Sequence, residues 1–212
     1  MRGFLITFEG LEGSGKSTQV NLLYRYLLSV GYDVIQTQEP GGTKIGAKIR
    51  KILLSRSNAC MSSMTELLLF ASERAQHVYE VIKPALASSK VVICDRFIDS
   101  SIAYQGYGRG QDLEMIQTLN RITTNNIIPD LTIVIDIEPN KGLLRTGKGD
   151  RIEHEDYAFY QAIRTGYLKI AEKEPNRVKV VEGDKGMEGL HQVIRGYVDE
   201  ALRGRFPGKS GR

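Results

Sequence analysis

Cysteine and histidine are too scarce in this chain to build a disulfide framework or a zinc site. The two cysteines, Cys60 and Cys94, form no C-x-x-C pair, and the three histidines show no metal-ligand spacing. Neither kind of site is therefore expected. We expect the histidines to lie at the surface or behind a functional site; they are His77, His154 and His191.

Long apolar runs are also missing, since no stretch approaches the roughly 18 residues of a membrane span. The first three residues lead directly into an apolar strand pattern rather than a signal peptide. These features predict a cytoplasmic protein with no membrane partner.

Excess positive charge is confined to one end of the chain. The formal net charge is +4, and residues 203–212 hold four basic residues and no acidic one: Arg203, Arg205, Lys209 and Arg212. The rest is neutral overall, which argues against a nucleic-acid partner. Residues 204–212, rich in Gly and Pro, are predicted to form a disordered basic tail.

A phosphate-binding motif is the strongest positive signal. Residues 10–17 read G-L-E-G-S-G-K-S and match G-x-x-x-x-G-K-[ST] between an apolar strand pattern and a helical pattern. Backbone N–H groups of such a loop cradle a polyphosphate, while Lys16 reaches the β/γ-phosphates and Ser17 can ligate Mg²⁺. The predicted nucleotide-binding residues are Gly10, Leu11, Glu12, Gly13, Ser14, Gly15, Lys16, Ser17 and Thr18.

Strand and helix patterns alternate along the chain. Strands are predicted at 4–9, 33–37, 91–95, 131–137 and 178–182, with a helical pattern in every gap. This order predicts an α/β fold of the P-loop NTPase type, in which helices cover both faces of a five-stranded parallel sheet. We expect one domain over residues 1–203 and a break near Pro84 in the helical stretch 61–89. Ligands should bind at the carboxyl ends of the strands.

Sequence motifs of GTPases are missing. Asn140-Lys141-Gly142-Leu143 lacks the Asp of the guanine-reading N-K-x-D motif, and no D-x-x-G segment occurs. A small kinase instead needs a second phosphate site and a mobile basic segment. Arg96 follows an apolar strand and offers a guanidinium fork suited to a monophosphate.

Four segments resemble thymidylate kinases of the bacterial type: E-P-G-G-T at 39–43, F-A-S-E-R at 70–74, I-C-D-R-F-I-D-S-S-I-A-Y-Q at 93–105, and D-R-I-E at 150–153. The resemblance extends over about residues 3–200. It implies transfer of a phosphoryl group from ATP to dTMP with Mg²⁺, and a homodimer to which the apolar residues 67–69 could contribute.

The resemblance also implies roles for single residues. Phe70 would stack on thymine and Arg74 would donate to its O4, while Ser101, Tyr104 and Gln105 would line the base and sugar site. Glu12 would face the sugar 3′-hydroxyl. Asp95 would hold Mg²⁺ with Ser17 or orient Arg96. Gln38 stands where an arginine is common, and Arg50 could supply the missing contact.

A basic, glycine-containing loop at 144–151 belongs to a predicted lid at about 142–153. The resemblance implies that, when the phosphate loop carries no arginine, the basic lid supplies the charge, so Arg151, with Arg145 or Lys148, would act as an arginine finger in cis. The catalytic residues are therefore predicted to be Lys16, Arg96, Arg151 and Asp95. A kinase for dCMP or deoxyguanosine, and a P-loop regulator or nucleic-acid-binding ATPase, stay open as alternatives.

Overall fold

The computed structural model describes residues 2–146 and 149–206 and contains one parallel sheet. Its strands are β1 (Phe4–Gly10), β2 (Val34–Gln38), β3 (Val91–Asp95), β4 (Leu131–Asp136) and β5 (Val178–Glu182). They lie in the order β2-β3-β1-β4-β5, all parallel. The predicted strand positions and the five-stranded parallel sheet are confirmed.

Nine α-helices lie in the described residues: α1 (Lys16–Ser29), α2 (Lys44–Leu54), α3 (Ser63–His77), α4 (Lys83–Ala87), α5 (Ile98–Ser101), α6 (Leu113–Thr123), α7 (Pro139–Thr146), α8 (Tyr157–Lys173) and α9 (Met187–Arg205). A π-helical segment, Val78–Ile82, separates α3 from α4, so the predicted break near Pro84 is confirmed. Proline has no N–H to donate, which weakens the helix in the preceding turn. A second π-helical segment, Ile102–Gly108, continues α5.

Alternate residues of β1 point to opposite faces of the sheet. Phe4, Ile6 and Phe8 pack in one cluster with residues of α1 and α9. Leu5 packs on the other face, with the π-helical segment after α3 and with α4. Burying one such side chain contributes about 1.5–3 kcal/mol, so both helical layers hold the central strand in place.

The C-terminal helix corrects one prediction. α9 continues to Arg205, and the Phe206 ring lies 5.9 Å from that of Tyr32, so residues 204–206 are ordered rather than part of a disordered tail. The physical reason is an apolar stripe on α9 that packs against the sheet: Leu190, Ile194, Val198 and Leu202. Residues 207–212 of the predicted tail lie outside the described residues.

None of the helices within residues 2–146 and 149–206 combines the length and apolar character that crossing a membrane requires.

Candidate active site

A cleft of about 290 Å³ lies at the carboxyl ends of the strands. The phosphate loop, the loop after β2, α3, the end of β3 and the segment before α8 all contribute to its walls. It brings together most of the predicted site residues: Glu12, Gly13, Lys16, Ser17, Arg50, Phe70, Arg74, Asp95, Arg96, Ser101, Tyr104 and Gln105.

The phosphate loop has the backbone that its glycines predict. Gly13 and Gly15 have φ values of +70° and +95°, in the left-handed region that favours glycine. A side chain at Gly13 would also collide with the backbone of Gly142, 2.3 Å from its Cβ position. The Ser14 hydroxyl is buried without a hydrogen-bond partner among the described residues, which suits a group that binds a phosphate oxygen.

Lys16 is buried at the floor of this loop and donates to the Leu11 carbonyl at 2.7 Å. Burial and the neighbouring Arg96 charge lower the pKa of Lys16 to about 8. A bound polyphosphate would favour the charged ammonium. Lys16 is therefore placed to bind a polyphosphate anion.

Ser17 and Asp95 meet at the outer end of the loop, where the Ser17 hydroxyl donates to Asp95 Oδ2 at 2.7 Å. The pairing of β1 with β3 places Asp95 beside Phe8, just before the phosphate loop. Two hard oxygen donors beside a phosphate site are a donor set that fits Mg²⁺, which is usually held by one or two protein groups together with phosphates and water.

Arg96 is held with its guanidinium in the cleft. Its backbone φ is +70°, a value that is rare for residues other than glycine and marks a constrained position. It donates to Glu12 Oε1 at 2.8 Å and to the Gly10 carbonyl at 3.0 Å, and it lies 5.0 Å from the Tyr104 ring centroid. Asp95 makes no hydrogen bond to Arg96 in the described part of the chain, so Glu12, and not Asp95, orients it.

Glu12 links this arginine to the sugar side of the cleft, because its Oε2 accepts from the Tyr104 hydroxyl at 2.6 Å. Burial disfavours the charged carboxylate, but Arg96 and Lys16 outweigh it and lower the pKa of Glu12. An ionised Glu12 is thus fixed between two predicted acceptor-site residues.

Glu9 supports the same region and was missed by the sequence reasoning. Its carboxylate accepts from the Phe97 amide at 2.8 Å, the Ser100 hydroxyl at 2.5 Å and the Tyr167 hydroxyl at 2.9 Å. Burial, and then the Asp99 charge, raise the pKa of Glu9 to about 7. The signal that could have identified Glu9 is an ionisable residue within an otherwise apolar strand pattern.

Arg74 is buried in a network rather than projecting freely from α3. It donates through Nε to Glu39 Oε2 at 2.8 Å and through Nη2 to the Phe97 carbonyl at 3.0 Å. Its Nη1 donates to Ser101 and Asn120. Glu39 and Asn120 were not predicted, because residues 35 and 46 positions away come together only in the folded chain.

Three further predicted residues frame the cleft. Phe70 is half-buried in its wall. Gln105 is held by Glu66 at 3.0 Å, and Arg50 donates to the Pro40 carbonyl at 2.7 Å. Arg50 therefore contacts the 39–43 loop, next to Gln38, as expected of a residue that supplies the missing arginine contact.

The lid differs from its prediction. α7 continues to Thr146, so part of the predicted loop is helical. Arg145 reaches the phosphate loop and donates to the Gly13 carbonyl at 3.3 Å. Lys148 lies outside the described residues.

Arg151 does not face the phosphate loop in the described structure, so its role as a finger stays a prediction. It is 8% exposed, donates to Glu66 Oε2 at 2.6 Å and to the Leu53 carbonyl at 2.9 Å, and lines no part of the cleft. The physical reason is Glu66, a buried carboxylate that requires cationic partners.

Several known proteins are similar to this chain. A family model described as thymidylate kinase matches residues 8–194. A thymidylate kinase of Halothermothrix orenii is 50% identical over 200 residues, covering 92% of this chain and 95% of that protein. A thymidylate kinase of a Sulfurihydrogenibium species is 49% identical over 193 residues, covering 91% and 95%.

A solved structure is also similar. The crystal structure of thymidylate kinase from Ehrlichia chaffeensis gives a TM-score of 0.79 at 37% identity, covering 93% of this chain and 99% of the other. A phosphate loop, a facing arginine site and these matches lead to one conclusion: the chain belongs to the thymidylate kinase family of ATP-dependent nucleoside monophosphate kinases.

Proposed function

We propose that this chain transfers the γ-phosphoryl group of ATP to dTMP, giving ADP and dTDP. The observation that carries the proposal is the single cleft that holds both the phosphate loop with Lys16 and the acceptor side with Arg96 and Arg74. A donor and an acceptor site in one cleft suit direct transfer between two nucleotides.

On the donor side, the loop amides and Lys16 bind the ATP phosphates. Mg²⁺ would be held by Ser17 and Asp95 and would neutralise phosphate charge when bound. Lys16 and the loop dipoles lie where negative charge increases during transfer, which is the main requirement for this chemistry.

On the acceptor side, Arg96 binds the monophosphate through its guanidinium fork. No strong general base is needed, because the attacking phosphate oxygen is already ionised. Glu12 fixes Arg96 and faces the 3′-hydroxyl of the sugar. These residues position the attacking oxygen rather than activate it.

Recognition of the base falls to Phe70 and Arg74. Phe70 stacks on the ring, and Arg74 donates to the carbonyl at position 4, with Ser101 and Gln105 completing the wall. Cytosine carries an amino donor at that position and leaves Arg74 unpaired, which can cost about 1–3 kcal/mol. The bulk of Tyr104 near C2′ disfavours a ribose.

The lid completes the donor site. We propose that Arg145, already at the phosphate loop, and Arg151, after release from Glu66, neutralise charge on the transferred group. One kinase domain over residues 1–203 with a lid at about 142–153 stays a prediction.

A homodimer is the proposed assembly. Exposed apolar side chains lie on α3 and on the two helices that pack against it, α2 and α6; they are Ile45, Ile52, Met64, Leu68 and Ile122. Within the predicted 67–69 region, Leu67 is buried and Leu68 is 46% exposed. Light scattering of Leu68→Glu against the unmodified chain tests this: the variant should be monomeric. The location of the reaction is a separate proposal: we place it in the cytoplasm, where its nucleotide substrates occur.

The decisive experiment is an ADP-release assay with ATP and a panel of dTMP, dUMP, dCMP and ribo-TMP. We expect the highest kcat/KM for dTMP, less for dUMP, and little for dCMP or ribo-TMP. Equal use of dCMP and dTMP would overturn the assignment of the acceptor.

A further inference from the structure

A buried chain of four side chains runs behind the acceptor base site. His77 Nδ1 lies 2.8 Å from Glu39 Oε1, and Glu39 Oε2 accepts from Arg74 Nε at 2.8 Å. His77 Nε2 lies 2.6 Å from the Thr37 hydroxyl. His77 is 0% exposed, Glu39 4% and Arg74 2%.

The chemistry of Glu39 determines the proton position on His77. A carboxylate beside a guanidinium is ionised and only accepts hydrogen bonds, so His77 Nδ1 carries a proton. In the neutral ring, Nε2 then accepts from the Thr37 hydroxyl. Each Glu39 oxygen therefore has one donor, and the carboxylate has a fixed orientation towards Arg74.

The imidazole also supports the loop that lines the cleft. A Cβ placed on Gly42 would lie 2.5 Å from the His77 ring, so the loop backbone rests directly on it. Glu73, one turn earlier on α3, accepts from the Gly41 amide at 2.8 Å. Movement of His77 would thus disturb Glu39 and its loop together.

Arg74 has five N–H groups, and four are used within the described structure, by Glu39, Ser101, Asn120 and Phe97. The remaining one is on Nη2, and Arg74 lines the cleft. A guanidinium is planar, so fixing Nε against Glu39 also fixes the direction of Nη2.

We propose that His77 is a positioning residue for acceptor recognition: acting through Glu39, it holds Arg74 so that one Nη2 N–H meets a carbonyl oxygen of the acceptor base. This inference rests on the proposed function, because it assigns the base contact to Arg74. His77 touches neither nucleotide, and its effect appears in base discrimination.

Two conservative variants of His77 distinguish the roles of its two ring nitrogens. The amide nitrogen of asparagine takes the place of Nδ1, and that of glutamine takes the place of Nε2. His77→Asn should keep the donor to Glu39 and a dTMP:dCMP ratio of kcat/KM within about threefold of the unmodified chain. His77→Gln should lower the ratio about tenfold, equivalent to about 1.4 kcal/mol, chiefly by raising the KM for dTMP, because the donor that orients Glu39 is lost.

The control is His191→Asn on α9, a histidine outside the cleft lining, which should leave the ratio unchanged. Equal ratios for His77→Asn and His77→Gln would overturn the proposal, since packing alone would then explain the residue. Thermal unfolding of each variant shows whether it is folded.

Nitrogen-15 NMR of the unmodified chain tests the same arrangement without a mutation. The proposal requires a protonated Nδ1 on His77, and a ring with a bare Nδ1 would overturn it. If the unmodified chain uses dCMP and dTMP equally, the proposed function fails while the NMR result still decides whether His77 and Glu39 are coupled.

Discussion

The arginines on the acceptor side of the cleft line the cleft, whereas those of the lid are held away from it or only weakly held. On the acceptor side, Arg74 and Arg96 are both fixed by carboxylates and line the cleft. In the lid, Arg151 is buried away from the cleft, and Arg145 is half-exposed with one long hydrogen bond to the phosphate loop. The difference indicates that the acceptor site is preformed, whereas the lid must rearrange to supply its charge.

Burial explains why the acceptor arginines differ from Arg145. Arg151 is also in a buried ion pair, so it must leave Glu66 before it can contribute. Removing one partner of a buried ion pair costs about 3–5 kcal/mol, so the acceptor arginines keep their orientation without a ligand. An exposed pair such as Arg145 with Asp184, 3.6 Å apart, contributes about 0–1 kcal/mol and is exchanged easily for a nucleotide phosphate.

The largest expected effect is that of Lys16→Ala. Losing the cation at the transferred phosphate should reduce kcat by about 10³-fold, a typical cost for removing one electrostatic contact to a transition state. The melting temperature should stay close to that of the unmodified chain. Lys48→Ala, on the exposed face of α2, is the matched control and should be fully active. Normal turnover by Lys16→Ala would refute its role.

The same residue predicts a pH dependence. Because the pKa of Lys16 is lowered to about 8, the free enzyme loses this charge as the pH rises through 8. We expect kcat/KM for ATP to fall above that pH, with a shallower fall in kcat because bound phosphates keep Lys16 protonated. A flat profile of kcat/KM between pH 7 and 9.5 would contradict this.

Arg96→Lys should have the next largest effect. A point charge replaces the fork that contacts Glu12 and Gly10, so kcat/KM for dTMP should fall by about 10²-fold. Arg25→Lys on exposed α1 is the control. If neither KM nor kcat for dTMP changes, Arg96 does not bind the acceptor phosphate.

Glu73→Gln tests how a buried carboxyl group on the acceptor side makes the stability of the protein depend on pH. Burial and the Glu39 charge raise the pKa of Glu73 to about 7. The contribution of Glu73 to the free energy of unfolding is therefore complete below pH 4.5 and is lost as the pH rises through 7. Between these pH values, the free energy of unfolding of the variant should therefore change by about 2 kcal/mol less than that of the unmodified chain. Part of the change that remains is due to Glu9. Urea unfolding at pH 5 and pH 8 measures it, with Glu80→Gln as an exposed control.

The smallest effect is expected in the lid. Arg145→Ala should lower kcat about tenfold without changing stability, because its contacts are exposed. Lys141→Ala, which also pairs with Asp184, is the matched control and should leave kcat unchanged. A kcat for Arg145→Ala equal to that of the unmodified chain would remove Arg145 from the mechanism.

Local patterns predicted the sheet, the phosphate loop and the meeting of Ser17 with Asp95. These features follow from strand order and from residues adjacent to strand ends. The sequence could not show that Glu66 buries Arg151 or that His77 contacts Glu39, because these partners are 85 and 38 residues apart. It also could not show where α9 ends, since packing of Leu202 and Phe206 extends that helix.

Calorimetric binding of dTMP without ATP tests most directly whether the acceptor side is preformed. For Arg145→Ala we predict a Kd within about twofold of the unmodified chain, while Arg96→Lys should weaken binding at least about tenfold, or 1.4 kcal/mol. If Arg145→Ala weakens dTMP binding as much as it lowers kcat, the two sides are assembled together and the account is contradicted.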